Sequence, residues 1–369
     1  MSSSPLVTIV TPSYNQVAFL ENTIRSVLAQ DYSPAMQASA MPASIEYMII
    51  DGGSTDGSLE IIQRYSDRLA WWVSERDSGQ AEAINKGLRR AKGEIVAWLN
   101  SDDLYLPGAI QQAVAAFRAN PGLGLVFSDA ITIDAQGNIL NRLSFGDWDL
   151  LDLASFRIIC QPAVFMRRAV LEKSGYLESS FHYMLDHHLW IQIARCAPIR
   201  HIGGRMEASS SEEQSVLWAA ARHHPGAKNV TQAPGFSSET MQILEWMENQ
   251  PDLKAIIAQN RNRVLAGAYR LNARYLLDGG LPAQALASYW RALLARPSYA
   301  LKHWHRMAYA VLCLVKLDGL TNSFRKRLST HHRRRLAAGL RTRKFATGQQ
   351  DLTSAGVELK NWPGLNLDI

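Results

Sequence analysis

Apolar and polar positions in the first hundred residues follow two alternating periods. Leu6 to Val10 is a β-branched apolar run, TPSYN (Thr11–Asn15) has turn chemistry, and Phe19, Leu20, Ile24, Val27 and Leu28 then recur at helical spacing. Strand, loop and helix return with Ile45 to Ile50, the loop DGGSTDG (Asp51–Gly57), and a helix over Ser58 to Tyr65 that Ser58 is expected to cap. A third unit has a strand at Trp71 to Val73, a helix over Gln80 to Ala91 and a strand at Glu94 to Leu99. The alternation predicts an α/β domain whose mostly parallel central sheet is covered on both faces. Ligands of such sheets sit beyond the carboxyl ends of the strands, which is where the loops carrying Thr11 to Asn15, Asp51 and Asp56, and Asn100, Asp102 and Asp103 converge.

Beyond Pro121 the pattern predicts a mixed sheet, with short strands at Leu123 to Ser128 and Ala130 to Ile133, a turn at Gln136 to Asn138 and an apolar run at Ala163 to Met166. Ser209 to Gln214 and Asn229 to Glu239 are polar and loop-like, and the second is the expected domain boundary. From Met241 to about Leu340 apolar residues recur every three or four, which predicts a smaller all-helical C-terminal region. Within it, Tyr275 to Pro297 reads as one helical hairpin. A single copy does not make a repeat array. The expected organisation is a catalytic domain at 1–230, helices with a basic end at 231–345, and a poorly ordered tail at 346–369.

Composition narrows the class. Cys160, Cys196 and Cys313 are odd in number and far apart, so neither a disulfide framework nor a zinc site is expected, and a reducing, cytoplasmic setting fits. The N-terminus has no signal-peptide pattern, and the longest apolar stretch, Met307 to Val315, falls far short of the roughly 20 residues that span a bilayer. The net charge of +6 conceals an asymmetry, because residues 301–345 carry twelve Lys or Arg against the one acid Asp318. Without interleaved aromatic platforms this window does not read as a nucleic-acid site. Trp304, Met307, Val311, Leu314 and Val315, flanked by Lys302, Arg306, Lys316 and Arg325 to Arg327, instead suit a helix lying on an anionic membrane surface, as a peripheral protein on the inner face. Packing onto the catalytic domain is the plain alternative.

Four segments carry candidate chemistry. LNSDD (Leu99–Asp103) places two carboxylates and an amide just after a strand, suited to Mg²⁺ or Mn²⁺ that completes its shell with phosphate and water, or simply to capping the helix near Pro107. In DGGSTDGS, glycines admit close approach of a nucleotide, and Asp51 and Asp56 offer acceptors to a base or ribose; a turn with capping acids is the alternative. Asp186, in HYMLDHHLWIQIAR, sits at the start of a helix as a general base or as a charge favourable to the helix end. His223, His224 and Lys228, in RHHPGAKN, offer a metal ligand and a diphosphate contact, or an exposed polar turn.

Taken in order, TPSYN, IIDGGSTDGS, SERDSGQAEAINKGL, GEIVAWLNSDD, CQPAVFMRR, LDHHLW and RHHPGAK resemble glycosyltransferase family two, in its bacterial polysaccharide-type members, over about residues 5 to 230. The resemblance implies the GT-A fold and metal-dependent, inverting transfer from a nucleotide diphosphate sugar, a UDP-sugar above all, to a glycan or lipid-linked glycan acceptor. It implies that Thr11, Tyr14, Asp51 and Asp56 hold the nucleoside, that Arg76, Gln80, Asn85 and Lys86 line the donor pocket, and that Asp102 and Asp103 serve the sugar, ribose and metal. His224 and Lys228 would form a late metal or diphosphate element, and Asp186 would be the catalytic base. Asn100, Gly52 and Leu185 stand where many relatives have acids. Transfer to a polyprenyl phosphate and an inactive transferase-like scaffold are the competing readings.

Overall fold

The computed structural model describes residues 5–32, 45–203, 216–317, 319, 344–345, 357–358 and 362–366. The stretch 34–44, the polar stretch 209–214 and the basic cluster at 325–327 lie outside the described residues.

Strand β1 (Val7–Ser13), buried at every position, is the centre of the N-terminal half. Helix α1 (Leu20–Leu28), β2 (Ile45–Asp51), α2 (Ser58–Arg64), β3 (Trp71–Ser74), α3 (Gln80–Arg90) and β4 (Ile95–Trp98) follow as three strand–helix units. β2 and β4 flank β1 in parallel, and β3 pairs in parallel with β2. Continuous apolar strands fit burial on both faces. β5 (Leu104–Tyr105), α4 (Ala109–Ala119), β6 (Leu125–Ile133), β7 (Ile139–Leu143), α5 (Leu150–Ala154), β8 (Val164–Arg167), α6 (Arg168–Ser174), α7 (Leu185–Cys196), β9 (Ile199–Ile202) and β10 (Leu217–Arg222) complete this half. The sheet runs β3-β2-β1-β4-β8-β6-β10-β5, with β7 and β9 also on β6, and β8 enters antiparallel between β4 and β6.

Two expected short strands, Leu123 to Ser128 and Ala130 to Ile133, are a single strand, β6. The acid at Asp129 suggests a break, yet its buried carboxylate accepts from Arg142, His201 and the Phe145 N–H. These bonds outweigh desolvation and hold it down at about 2.

The loop expected at Asn229 to Glu239 is also corrected, because α8 (Lys228–Thr231) and α9 (Ala233–Glu248) cover it. Ser237, Glu239 and Thr240 are buried there; the Glu239 carboxylate accepts from three N–H groups, Thr240 donates to the Phe236 carbonyl and Asn272 to that of Ser237. α10 (Pro251–Gln259), α11 (Arg261–Asp278), α12 (Pro282–Ala295), α13 (Pro297–Ala300) and α14 (Trp304–Leu314) follow. α11 and α12 form the hairpin, with Gly280 at a φ of +75° in its turn. The helices share a core with the sheet, since Ile243, Leu244, Met247, Val264 and Leu271 belong to one buried cluster with Val10, Ile50, Trp98 and Trp190.

On α14 the apolar side divides. Met307 packs towards the hairpin with Ala310 and Cys313, whereas Trp304, Val311, Leu314 and Val315 are exposed, and Arg306 pairs with Asp278. Part of the tail expected to be poorly ordered closes onto the sheet, where buried Trp362 donates to the Tyr105 carbonyl at 2.6 Å. Among the described residues, no helix is long and apolar enough to cross a membrane.

α11 docks through Gly267, where an added Cβ would lie 2.0 Å from the Ser155 carbonyl oxygen. Gly267→Ala should destabilise the protein by about 1–3 kcal/mol or more, because the clash is with backbone. Denaturant unfolding checks this; an unchanged midpoint would mean that α11 does not depend on this close approach.

Candidate active site

β1 and β2 end in register, Ser13 opposite Asp51, so their following loops lie together. The loops are stitched by bonds from Asn15 N–H to Ser54 Oγ, Gln16 N–H to Ser58 Oγ, Val17 N–H to Asp56 Oδ2 and Thr55 N–H to Asn15 Oδ1. Asn15 holds a φ of +51°, a conformation asparagine tolerates.

The expected nucleoside-binding residues take part in this stitching or lie beside it. Asp51 is buried, and its carboxylate accepts from the N–H groups of Gly53 and Ser54 and the hydroxyls of Ser54 and Ser74. Desolvation works to raise the Asp56 carboxyl, but bonds from Ser58 and Val17 hold it below the usual range. Thr11 is buried with its hydroxyl on that of Tyr47. A glycine-rich loop leaves backbone N–H groups unpaired, and the nearest acids satisfy them. Ser58 is not the cap of α2. Gly57 holds that position at a φ of +102°, and Ser58, the first helical residue, bonds to Asp56. Tyr14 and Arg76 remain exposed.

The metal-loop residues meet partners from distant elements. Gln80 donates to Asn100 Oδ1 at 2.8 Å and accepts from Lys228 Nζ at 2.9 Å. Asn100 donates to Gln161 Oε1, and Gln161 in turn to the Trp98 carbonyl. Asp102 Oδ2 and His224 Nε2 are 3.2 Å apart. Asp103, expected beside them as a ligand, turns inward: it is buried and accepts from the Arg222 N–H at 2.8 Å and from Asn100. Burial, and then the neighbouring Asp102, push its carboxyl well above the usual range. Arg222 also donates to the Asp102 carbonyl and lies over the Phe19 ring, against which the His224 ring packs.

Two expected pocket residues have protein partners. Asn85 is buried and bonds both N–H and carbonyl of Leu177, and Lys86 pairs with Glu75 at 2.6 Å.

Asp186 is the second residue of α7 and half-buried, and its Oδ1 accepts from the His187 N–H at 2.7 Å. Desolvation pushes its carboxyl up to about 6, against that N–H and with help from nearby Glu239. Glu239 is a residue that sequence reasoning missed. From α9 its buried carboxylate accepts the N–H groups of His182, Tyr183 and Met184 at 2.6, 2.8 and 2.7 Å, fixing the turn that launches α7. Lys228 Nζ lies 3.5 Å from the His182 carbonyl, which ties the same turn to the Gln80–Asn100 network. Arg222 and Gln161 were also missed as site builders, although both stand in quoted motifs.

An acid and an imidazole side by side, with no group of three or more His, Cys, Asp or Glu able to hold an ion among the described residues, do not suit a closed structural metal site. They fit an ion that draws the rest of its shell from a diphosphate and water.

The comparisons with known proteins agree with this architecture. Residues 8–175 match the profile of glycosyl transferase family 2. Chondroitin synthase of Escherichia coli is 27% identical over 201 residues, 54% of this chain and 28% of that protein. The chain spans between 16 and 61% of the length of such curated relatives. Staphylococcus aureus TarS 1–349 in complex with UDP-GlcNAc superposes with a TM-score of 0.54 at 15% identity, over 83% of this chain and 90% of that one. A mannosyltransferase from Pyrobaculum calidifontis, in complex with GDP-Man and Mn²⁺, gives 0.52 at 21% identity, over 85 and 87%. The fold is that of GT-A glycosyltransferases, a mostly parallel curled sheet followed by helices, and residues 8–175 of this chain match glycosyl transferase family 2.

Proposed function

We propose that this chain transfers a sugar, with inversion, from a nucleoside diphosphate donor to a hydroxyl of a glycan or lipid-linked glycan in bacterial cell-surface polysaccharide assembly. The observation that carries the reading is the meeting of Asp102 and His224 at 3.2 Å, beside the Gln80–Asn100–Lys228 network, at the carboxyl end of the sheet. Asp102 and His224 would hold Mg²⁺ or Mn²⁺, and the bound ion offsets charge on the departing diphosphate. Lys228 adds a cation to the same end. Asp186 takes the proton from the acceptor hydroxyl as its oxygen attacks the anomeric carbon and the bond to the diphosphate breaks, so one displacement inverts the centre and no sugar is bound covalently to the protein. The relatives and neighbours support the donor class through UDP-GlcNAc and GDP-Man bound to two of them, and polysaccharide assembly through chondroitin synthase.

The helical region supplies the reading of place. Trp290 and Leu294 on α12 and Trp304, Val311 and Leu314 on α14 expose apolar side chains, with exposed Lys302 and Lys316 near them in the chain. Exposed apolar side chains with basic neighbours suit the anionic inner surface of a membrane, where lipid-linked acceptors would be met, with each nearby basic residue contributing about 1 kcal/mol.

Three outcomes are expected. Excess chelator should abolish transfer, and Asp102→Asn should lower both donor affinity and turnover about tenfold or more; full turnover in chelator would overturn metal dependence. Transfer should fall as pH drops through about 6, because the base works only when ionised, and Asp186→Asn should cost about 10²–10⁴-fold in turnover at nearly unchanged donor affinity. Equal losses of affinity and turnover would make Asp186 a donor contact. Finally, the protein should sediment with anionic but not neutral vesicles and be released by salt, and Trp290→Glu with Trp304→Glu should reduce binding. Intact protein staying in solution with anionic vesicles at low salt would remove the membrane reading.

A further inference from the structure

The acids adjoining the first two loops are consumed by backbone, yet one carboxylate in the same corner is not. Gly52 follows β2 with its N–H on the Ser13 carbonyl, and its bare face is approached from two other loops. A Cβ placed there would lie 2.8 Å from Asp77 Oδ2, in the loop between β3 and α3, and 3.3 Å from Cδ2 of the Tyr14 ring, in the loop after β1. Three strand ends thus bring together a backbone without a side chain, an aromatic ring that is 62% exposed, and a carboxylate. Asp77 is held in place through Oδ1, which accepts from the Gly79 N–H beside the start of α3. Among the described residues, Oδ2 takes no protein hydrogen bond. Desolvation raises the Asp77 carboxyl, with Glu82 and Asp51 adding to the rise and the Gly79 N–H and Lys86 opposing it, so a donor arriving at Oδ2 meets an under-satisfied acceptor.

A ring beside bare backbone accepts a flat heteroaromatic group by stacking, and the rim carboxylate decides which one. A carboxylate only accepts hydrogen bonds. Uracil and thymine present a ring N–H on the edge used for pairing, and guanine presents a ring N–H with an amine. Cytosine and adenine present an amine beside a ring-nitrogen lone pair there; the amine can donate, but the lone pair at the ring position repels the carboxylate that a keto base's ring N–H would satisfy. We propose that Asp77 selects the nucleobase of the donor, its Oδ2 accepting the ring N–H of a keto base placed against Tyr14 and Gly52. The donor is then a uridine, thymidine or guanosine diphosphate sugar, and not a cytidine or adenosine one. The inference rests on the proposed binding of a nucleoside diphosphate sugar at this end of the sheet.

Titration calorimetry of the full chain with UDP, GDP, CDP and ADP, and with pyrophosphate as a ligand lacking a base, tests it. Wild type should bind UDP or GDP about tenfold or more tightly than CDP and ADP. Asp77→Ala should erase that preference without changing pyrophosphate affinity. Asp77→Asn keeps the Oδ1 acceptor for Gly79 but puts a donor in place of Oδ2, and should shift preference towards CDP; it carries the test if the alanine variant fails to fold. Gly52→Asp should impair UDP and GDP binding in wild type, where two carboxylates crowd, and restore it in the Asp77→Ala background, because a side chain at 52 points to the same spot. General damage to the loops would not give that rescue. A wild-type preference for CDP or ADP, or an unaltered preference in both Asp77 variants, overturns the assignment of Asp77. Wild type that binds no nucleoside diphosphate overturns the donor reading itself.

Discussion

The tie between Asp103 and the Arg222 N–H is the constraint on which the candidate site depends. It joins the loop after β4 to the end of β10 across 119 residues of sequence, and it is made by a carboxylate buried beside a second acid. Burying an acid in that position costs free energy unless every lone pair is used. The Asp103 carboxyl accepts from the Asn100 amide and the Arg222 N–H, and Arg222 bonds this loop twice, through that N–H and through its guanidinium on the Asp102 carbonyl. With those two bonds made, β10 cannot slide against the loop, and His224, two residues further on, falls beside Asp102. The meeting of Asp102 and His224 is therefore a by-product of a structural bond one residue away.

The same economy runs through the neighbouring loops. Polar residues near a strand end can serve the ligand, the loop or both, and here they differ in how many of their bonds the protein already takes. Asp51, Thr11 and Asn85 are buried and bonded to protein partners and Asp56, though exposed, is bonded to the loops, whereas Tyr14, Arg76, Gln80, Asp102, His224 and Lys228 are exposed or linked to one another at the mouth. The first group is rigid because each of its side-chain oxygens already has a hydrogen-bond partner, and that rigidity holds the second group in register.

Much of the fold was legible because it follows from local period: the units of β1 to β4, the helix bearing Asp186 and the hairpin of α11 and α12 lie where alternation and helical spacing put them. The errors arose where polarity was used as a sign of exposure. Asp129 reads as a strand break and Asn229 to Glu239 as a loop, but both are polar because partners far along the chain satisfy them. Residue type could nominate Asp103 and Asp51 for the site, but not tell which way each carboxylate turns, since that depends on N–H groups supplied by Arg222 and by the loop itself. Glu239 was beyond reach for the same reason. Nothing near it in sequence reveals that three N–H groups some 55 residues earlier require an acceptor.

Trp362 has a consequence for how the chain keeps itself apart from others of its kind. β5 is the last strand on its side of the sheet, and the indole of Trp362 occupies the Tyr105 carbonyl while its ring joins the apolar cluster of Leu104, Ile131 and Leu217. A sheet border with free carbonyls and apolar side chains is a template for another strand. The segment around Trp362 thus acts as a guard against aggregation. A molecule clipped ahead of this residue, or one still emerging from the ribosome, presents an open border on which a second molecule can build.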